Sequence, residues 1–237
     1  MGIIVYNGIS SRSYGILVET EPGYPYPEKD VEMVHVPGRN GDIAIETGSY
    51  KNVEVSYNIA ASAVEESYSM VANRVVTWLH SARTYARLED SYDPDIFRLA
   101  LYKEEGNFSS IFRKAGRAEI KFDCKPQRFL KSGERVITTT SSLQLANQTN
   151  QDALPIIIVY GTGSGTLTIG SYTINISAIN TYTAIDCDTM NCYTGTTNRN
   201  NYVTMPSGFP RLIPGMNNIS FSGNVTKIDI KPRWWIL

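Results

Sequence analysis

The stretch Pro155-Ile156-Ile157-Ile158-Val159-Tyr160-Gly161-Thr162-Gly163-Ser164-Gly165-Thr166-Leu167-Thr168-Ile169 decides the fold class. Its two ends are rich in β-branched residues, which pack well on a pleated surface and lose rotamer freedom in a helix. The glycine-rich middle superficially suggests a phosphate loop. Such a loop must open onto a helix N-terminus, whose free N–H groups hold the anion. This one leads into Thr166-Leu167-Thr168-Ile169, another strand pattern, so it reads as a hairpin turn.

Working outward, the same pattern repeats. Tyr172–Ile176, Tyr182–Cys187, Asn218–Phe221 and Val225–Ile230 are strand-like runs bounded by Gly, Ser or Asn. Turn signals arrive about every ten residues, the spacing of a β-sandwich. No stretch after residue 133 carries a helical period.

The part before it has a different composition. Residues 1–132 hold 16 of the 22 basic and 18 of the 23 acidic side chains, so the remainder is charge-poor. The change falls at Leu130-Lys131-Ser132-Gly133-Glu134, a polar turn, and marks a boundary between domains 1–132 and 133–237. The first domain is mixed. Val53, Val55, Tyr57 and Ile59 alternate with polar residues, as in a half-buried strand. Ile3–Tyr6, Ile43–Ile45, Tyr85–Leu88, Phe97–Tyr102 and Ala118–Cys124 read as further strands. Tyr68, Val71, Ala72, Val75, Leu79 and Ala82 recur at helical spacing, which predicts one helix over about residues 63–82. Ser62 and Glu65 form a capping box at its start. The fold class is mainly β, with an α+β first domain and a second domain of strands alone.

Between the first strands, Pro22, Pro25, Pro27 and Pro37 break a segment that suits a compact core poorly. It reads as a projecting arm over about residues 22–45, ordered against a neighbour. Tyr24, Tyr26, His35, Val36, Pro37 and Arg39 are its candidate contact residues.

Composition limits the chemistry. With 42% hydrophobic and 11% aromatic residues the chain can bury a real core. A net charge of −1 argues against a broad basic surface that grips nucleic acid. The three cysteines, Cys124, Cys187 and Cys192, form no CxxC pair. Together with a start that lacks a signal-peptide pattern, they favour synthesis in a reducing compartment, and no apolar run is long enough to span a membrane.

The two histidines, His35 and His80, have no HExxH or CxxC companion, so no metal centre is expected. Asp90, Asp93 and Asp95 cluster, but Pro94 interrupts and a calcium loop's glycine is missing, so a polar turn is the simpler reading. Asp186 and Asp188 share one strand face at most. There is no GxSxG or SxxK nucleophile context. Catalytic, metal and cofactor sites are therefore expected to be absent, and the chain is not expected to be an enzyme. Trp234 and Trp235 are the one candidate aromatic contact of the second domain. They read as packing of a terminal strand, with a carbohydrate-stacking role as the alternative.

Four segments together resemble the distal tail protein (Dit) family of siphophages. Val36-Pro37-Gly38-Arg39-Asn40-Gly41-Asp42 resembles its belt-arm segment, and Leu88–Ala100, with Tyr92-Asp93-Pro94-Asp95, its acidic turn. Phe122–Phe129 is similar to the strand closing its first domain. Phe209-Pro210, Pro214-Gly215 and Lys231-Pro232-Arg233-Trp234-Trp235 resemble its C-terminal signature. The resemblance implies a virion structural protein of the tail tip or baseplate, made and assembled in the host cytoplasm. It implies a homo-hexameric ring, single or stacked, built by the first domain and its arm. The ring would leave a channel through which DNA passes without specific binding. The second domain would be a galectin-like β-sandwich on the outside. Tail tube protein, a tail-associated or central fibre protein, and receptor-binding protein are the implied partners. The chain resembles the short form, without inserted carbohydrate-binding modules. One departure matters: residues 133–237 lack His and carry only the terminal Trp pair, unlike sugar-binding galectins. The alternative reading is a carbohydrate-binding module that contacts the host surface.

Overall fold

The structure is a computed structural model that describes residues 1–61, 68–103 and 116–237, with the backbone alone for Tyr68 and Ser69. The described residues form two compact units, Met1–Arg128 with Leu237, and Phe129–Ile236.

The first unit is built on a twisted antiparallel sheet. Its strands are β1 (Ile4–Tyr6), β2 (Ile9–Ser10), β3 (Ile16–Val18), β6 (Val53–Ala61), β7 (Ala86–Asp90), β8 (Ile96–Leu101) and β9 (Arg117–Leu130). Their order across the sheet is β2-β1-β7-β8-β9-β6-β3. Two further strands, β4 (Lys29–Val34) and β5 (Ile43–Tyr50), pair with each other and, among the described residues, with no other strand.

The alternation along β6 holds: Val55, Tyr57 and Ile59 are fully buried. They meet helix α1 (Tyr68–Leu79), which lays Val71, Ala72, Val75 and Leu79 on the same core. Each large apolar side chain so buried contributes about 1.5–3 kcal/mol relative to exposure. Trp78 is the largest of them, and its Nε1–H donates to Tyr6 O at 3.1 Å, so no polar group is left unpaired there.

The helix ends three residues before the predicted Ala82. It stops at Leu79, where Ser81 N–H closes a tighter bond to Trp78 O. The Ser62–Glu65 capping box lies outside the described residues. Strand β9 runs six residues past the predicted Cys124 end. Its ladder with β6 finishes at Cys124, so Pro126 costs no sheet bond.

The second unit is a single eight-stranded sheet in a sandwich-like arrangement. Three long strands carry it: β12 (Ile156–Ile169), β13 (Tyr172–Asp186) and β17 (Gly215–Lys231). Shorter strands complete it: β10 (Ile137–Thr139), β11 (Leu143–Asn147), β14 (Asn191–Thr194), β15 (Thr197–Asn198) and β16 (Val203–Thr204). A terminal strand, β18, spans Trp235–Ile236.

Here the sequence reading needs two corrections. Gly161–Gly165 is not a hairpin turn. It lies inside β12 as a bulge, with the register shifting between Gly163 and Gly165 against β13. The actual reversal is at Gly170-Ser171. The predicted runs Tyr172–Ile176 and Tyr182–Cys187 likewise fall, up to Asp186, in one strand, as do Asn218–Phe221 and Val225–Ile230 in another.

The physical reason lies in the length of the core face. Ile157, Val159, Leu167 and Ile169 are all fully buried in one cluster. A straight strand of that length would span about 46 Å, far too long for one small core. A bulge bends the strand so that both halves enclose the same interior.

Candidate assembly surface

The arm is a β-hairpin rather than an irregular projection. Val34 pairs with Ile43, Met33 with Ala44, Glu32 with Ile45 and Val31 with Glu46. Lys29 bonds Glu46 along it, and Thr47 Oγ1 donates to Asp30 O at 2.8 Å. The segment therefore extends past residue 45, to Tyr50. The predicted strand Ile43–Ile45 belongs to this hairpin and not to the main sheet.

Side chains alternate across a strand, so Met33 and Ile45 point to opposite faces. Both are exposed, at 60% and 49%, and Tyr26 is exposed at 85%. A hairpin with apolar side chains bare on both faces has found no core of its own.

The tip spans residues 35–42. Arg39 N–H bonds Val36 O at 3.1 Å to close a turn, and Gly38 and Gly41 supply its positive φ angles. His35 Nδ1 lies 3.1 Å from Asp42 Oδ1. Pro37 and Arg39 are exposed, while Val36 is half-buried.

Tyr24 behaves differently from the rest of the predicted arm. It packs against the core of the first unit, and its hydroxyl donates to Asp90 Oδ1 at 2.8 Å. Asp90 is only 6% exposed. It also accepts from Tyr57 OH at 3.0 Å and from the backbone N–H of Tyr92 and Asp93, each at 2.9 Å. The Arg98 guanidinium sits 4.5 Å over the Tyr24 ring, a cation–π contact in a shielded place. Arg128 bonds Asp93 at 2.8 Å and closes the group.

Burial, and then the bond to the Asp90 carboxylate, push the Tyr24 phenol well above its ordinary range. Burial and the nearby Asp90 charge do the same to Tyr57. Both phenols stay protonated and serve as donors. Asp90 thus ends a strand, caps the turn after it and pins the stem of the arm. Asp95 points away into solvent. The three carboxylates do not converge, as the turn reading requires.

The other candidate residues fall into structural roles. His80 packs edge-on against Tyr102, with ring centres 5.0 Å apart. Trp234 and Trp235 pack against the core of the second unit, and Trp235 Nε1–H donates to Asp152 O at 2.8 Å. Both residues stay half-buried in that packing. The cysteine thiols are buried and unbonded to one another. Among the described residues no three ligating side chains gather, and no helix is long and apolar enough to cross a membrane.

Sequence reasoning missed one polar anchor. Asp186, 7% exposed, accepts from Arg233 Nη1 at 2.7 Å and Nη2 at 3.3 Å, and from Asp188 N–H at 3.1 Å. Burial opposes its charge, but the Arg233 bonds and charge outweigh that and lower its pKa. Arg233 takes a left-handed φ of 57° to reach it. Only a partner 47 residues away makes Asp186 distinctive, and no local pattern announces that.

No family model matches the chain, and no curated protein does. Among the solved structures that match the chain is one that does so along the whole length of both chains, with a TM-score of 0.72 and 16% sequence identity. It is the crystal structure of SPP1 Dit, described as a paradigm of the hub adsorption apparatus in phages infecting Gram-positive hosts. The chain has the fold of that distal tail protein from end to end.

Proposed function

We propose that the chain is a structural subunit of a phage tail-tip hub and works by assembling, not by catalysis. The observation that carries this reading is the whole-length likeness to SPP1 Dit, which spans the arm-bearing first unit as well as the sheet that follows. In this reading the protein is a virion component. Copies form a hexameric ring through the first domain, residues 1–132. The galectin-like second unit faces outward and offers a place for receptor-binding protein. Tail tube protein lies on one side of the ring and a tail-associated or central fibre protein on the other. DNA passes through the channel without being held, which suits a net charge of −1.

The arm supports the assembly step. Its bare Met33, Ile45 and Tyr26 gain a partner only from outside the chain's own cores. A ring closed head to tail uses two different patches on each copy, so an arm on one copy can meet a different surface on the next.

Light scattering on the purified protein, with negative-stain imaging, tests the reading. The expected result is a roughly sixfold native mass and annular particles. A single-copy mass at high concentration would overturn it.

A further inference from the structure

Asn7-Gly8 and Asn40-Gly41 are the two places in the chain where glycine follows asparagine. At such a pair the glycine backbone nitrogen can attack the asparagine side-chain amide, because no Cβ on the following residue stands in the way. The fold treats the two pairs in opposite ways.

Asn7-Gly8 is the two-residue turn between β1 and β2, with Tyr6 paired to Ile9. Both residues take the positive φ that this turn requires, 50° and 78°. Asn7 N–H donates to Arg87 O at 3.0 Å, and its Nδ2 donates to Ser81 Oγ at 3.2 Å. Backbone and side chain are both tied. The amide cannot swing over the Gly8 nitrogen without breaking its bond to Ser81.

Asn40-Gly41 lies at the tip of the arm, beyond the last ladder pair, Val34 with Ile43. Among the described residues the one backbone bond within the tip runs from Arg39 N–H to Val36 O. No partner there holds the Asn40 amide or the Gly41 N–H. Both residues are exposed. A Cβ built on Gly41 would meet nothing within 4 Å, so the space around it is open. An exposed tip with so few bonds samples many backbone angles, and Gly38 and Gly41 widen the range. Those angles include the ones that bring Asn40 Cγ over the Gly41 nitrogen.

We propose that Asn40-Gly41 is a self-modification site, at which the arm tip acquires a carboxylate with time. The Gly41 nitrogen loses its proton to solvent base and bonds to Asn40 Cγ. The Cγ–Nδ2 bond breaks, ammonia leaves, and a succinimide ring closes. Water then opens the ring. Opening at Cγ leaves aspartate. Opening at the main-chain carbonyl leaves isoaspartate, with the main chain now running through the former side chain. Water is the co-reactant, and nothing is oxidised or reduced.

Either product adds one negative charge to a chain whose net charge is −1. The new carboxylate follows Arg39 directly and precedes Gly41 and Asp42, whose Oδ1 already lies 3.1 Å from His35 Nδ1. The ladder inward of Val34 and Ile43 is untouched, so the change is one of charge and tip shape. A surface that takes the fresh arm meets a different tip on the aged one. The site stands whichever partner takes the arm.

Ageing the native protein in mildly alkaline buffer tests this, with peptide mapping by mass spectrometry and isoaspartyl methyltransferase labelling. Conversion is expected at Asn40 and not at Asn7, and faster as pH rises, because the attacking nitrogen must lose its proton. In urea, where the Ser81 and Arg87 bonds are gone, both asparagines are expected to convert. Native Asn40 that stays an amide while the denatured chain reacts overturns the proposal. So does native Asn7 that converts as fast as Asn40. Asn40→Gln keeps the amide on a longer side chain, which disfavours the ring. The aged parent is expected to gain an acidic species on ion exchange that the aged variant lacks. The same species in the variant would place the chemistry elsewhere and sink the assignment.

Discussion

Gly161 lies so close to Asn224 that a Cβ added there would stand 2.1 Å from the Asn224 carbonyl oxygen. The two residues belong to neighbouring strands, β12 and β17, where the long sheet bends. The close approach is what a bulge demands, and only a residue without a side chain permits it.

Gly161→Ala must therefore push backbone against backbone. The expected cost is about 2–4 kcal/mol of stability, the range of an overpacked core site. Gly170→Ala is the control. Its φ of +53° is a left-handed turn position with nothing within 4 Å of the added Cβ, so only about 1–2 kcal/mol is expected. Chemical denaturation of both variants measures the difference. Equal losses would show that the bend does not depend on that contact.

This glycine also marks how far local sequence reached. The β-branched runs around it identified strands, because side-chain packing preference is local. Whether Gly161–Gly165 reverses the chain or bends it is decided elsewhere, by β13 and β17 pairing along both halves of β12. The helix was legible from the spacing of Val71, Val75 and Leu79. The arm was legible as a segment unfit for the core. Its hairpin pairing was not, because Val31 and Glu46 are 15 positions apart with a turn between them. Asp90 looked like a turn residue and is one. That it also holds Tyr24 and Tyr57 depends on contacts 66 and 33 positions apart, which no local pattern encodes.

Tyr24→Phe should remove one bond to a charged acceptor and keep the ring under Arg98. The expected loss is about 1.5–3 kcal/mol, if the arm stem stays docked. Asp90→Ala should cost more, about 3–5 kcal/mol, because two phenols and two backbone N–H groups lose their acceptor together. Urea denaturation measures both. Additive losses in the double variant would contradict the bond, since residues in direct contact couple.

The thiols give a test of burial. Burial pushes the Cys124 thiol up to about 12 and the Cys192 thiol up to about 11, and it raises Cys187 as well. Thiolate is the reactive form, so the folded protein at pH 8 should resist an aromatic disulfide reagent. After denaturation all three should react. The unfolded chain ionises its thiols above about pH 8.5 while the folded chain does not, so alkaline pH should also favour unfolding. Rapid reaction of any cysteine in the folded protein would show that its unit opens.

The Asp186–Arg233 pair makes stability depend on acid in a direction that can be worked out. The folded-state pKa of Asp186 lies below its unfolded value, so the folded protein releases that proton more readily. The pair's contribution is complete above the unfolded value of about 3.9 and is lost as pH falls through the lower folded value. Arg233→Ala should therefore cost about 2 kcal/mol at pH 7, as expected for bonds to a charged acceptor. The gap between variant and parent should narrow below about pH 4, because protonated Asp186 no longer needs the cation. Denaturation curves for the two proteins from pH 7 down to pH 3 measure it. A gap that stays constant across that range would mean that Arg233 acts through packing and backbone conformation, not through the charge of Asp186.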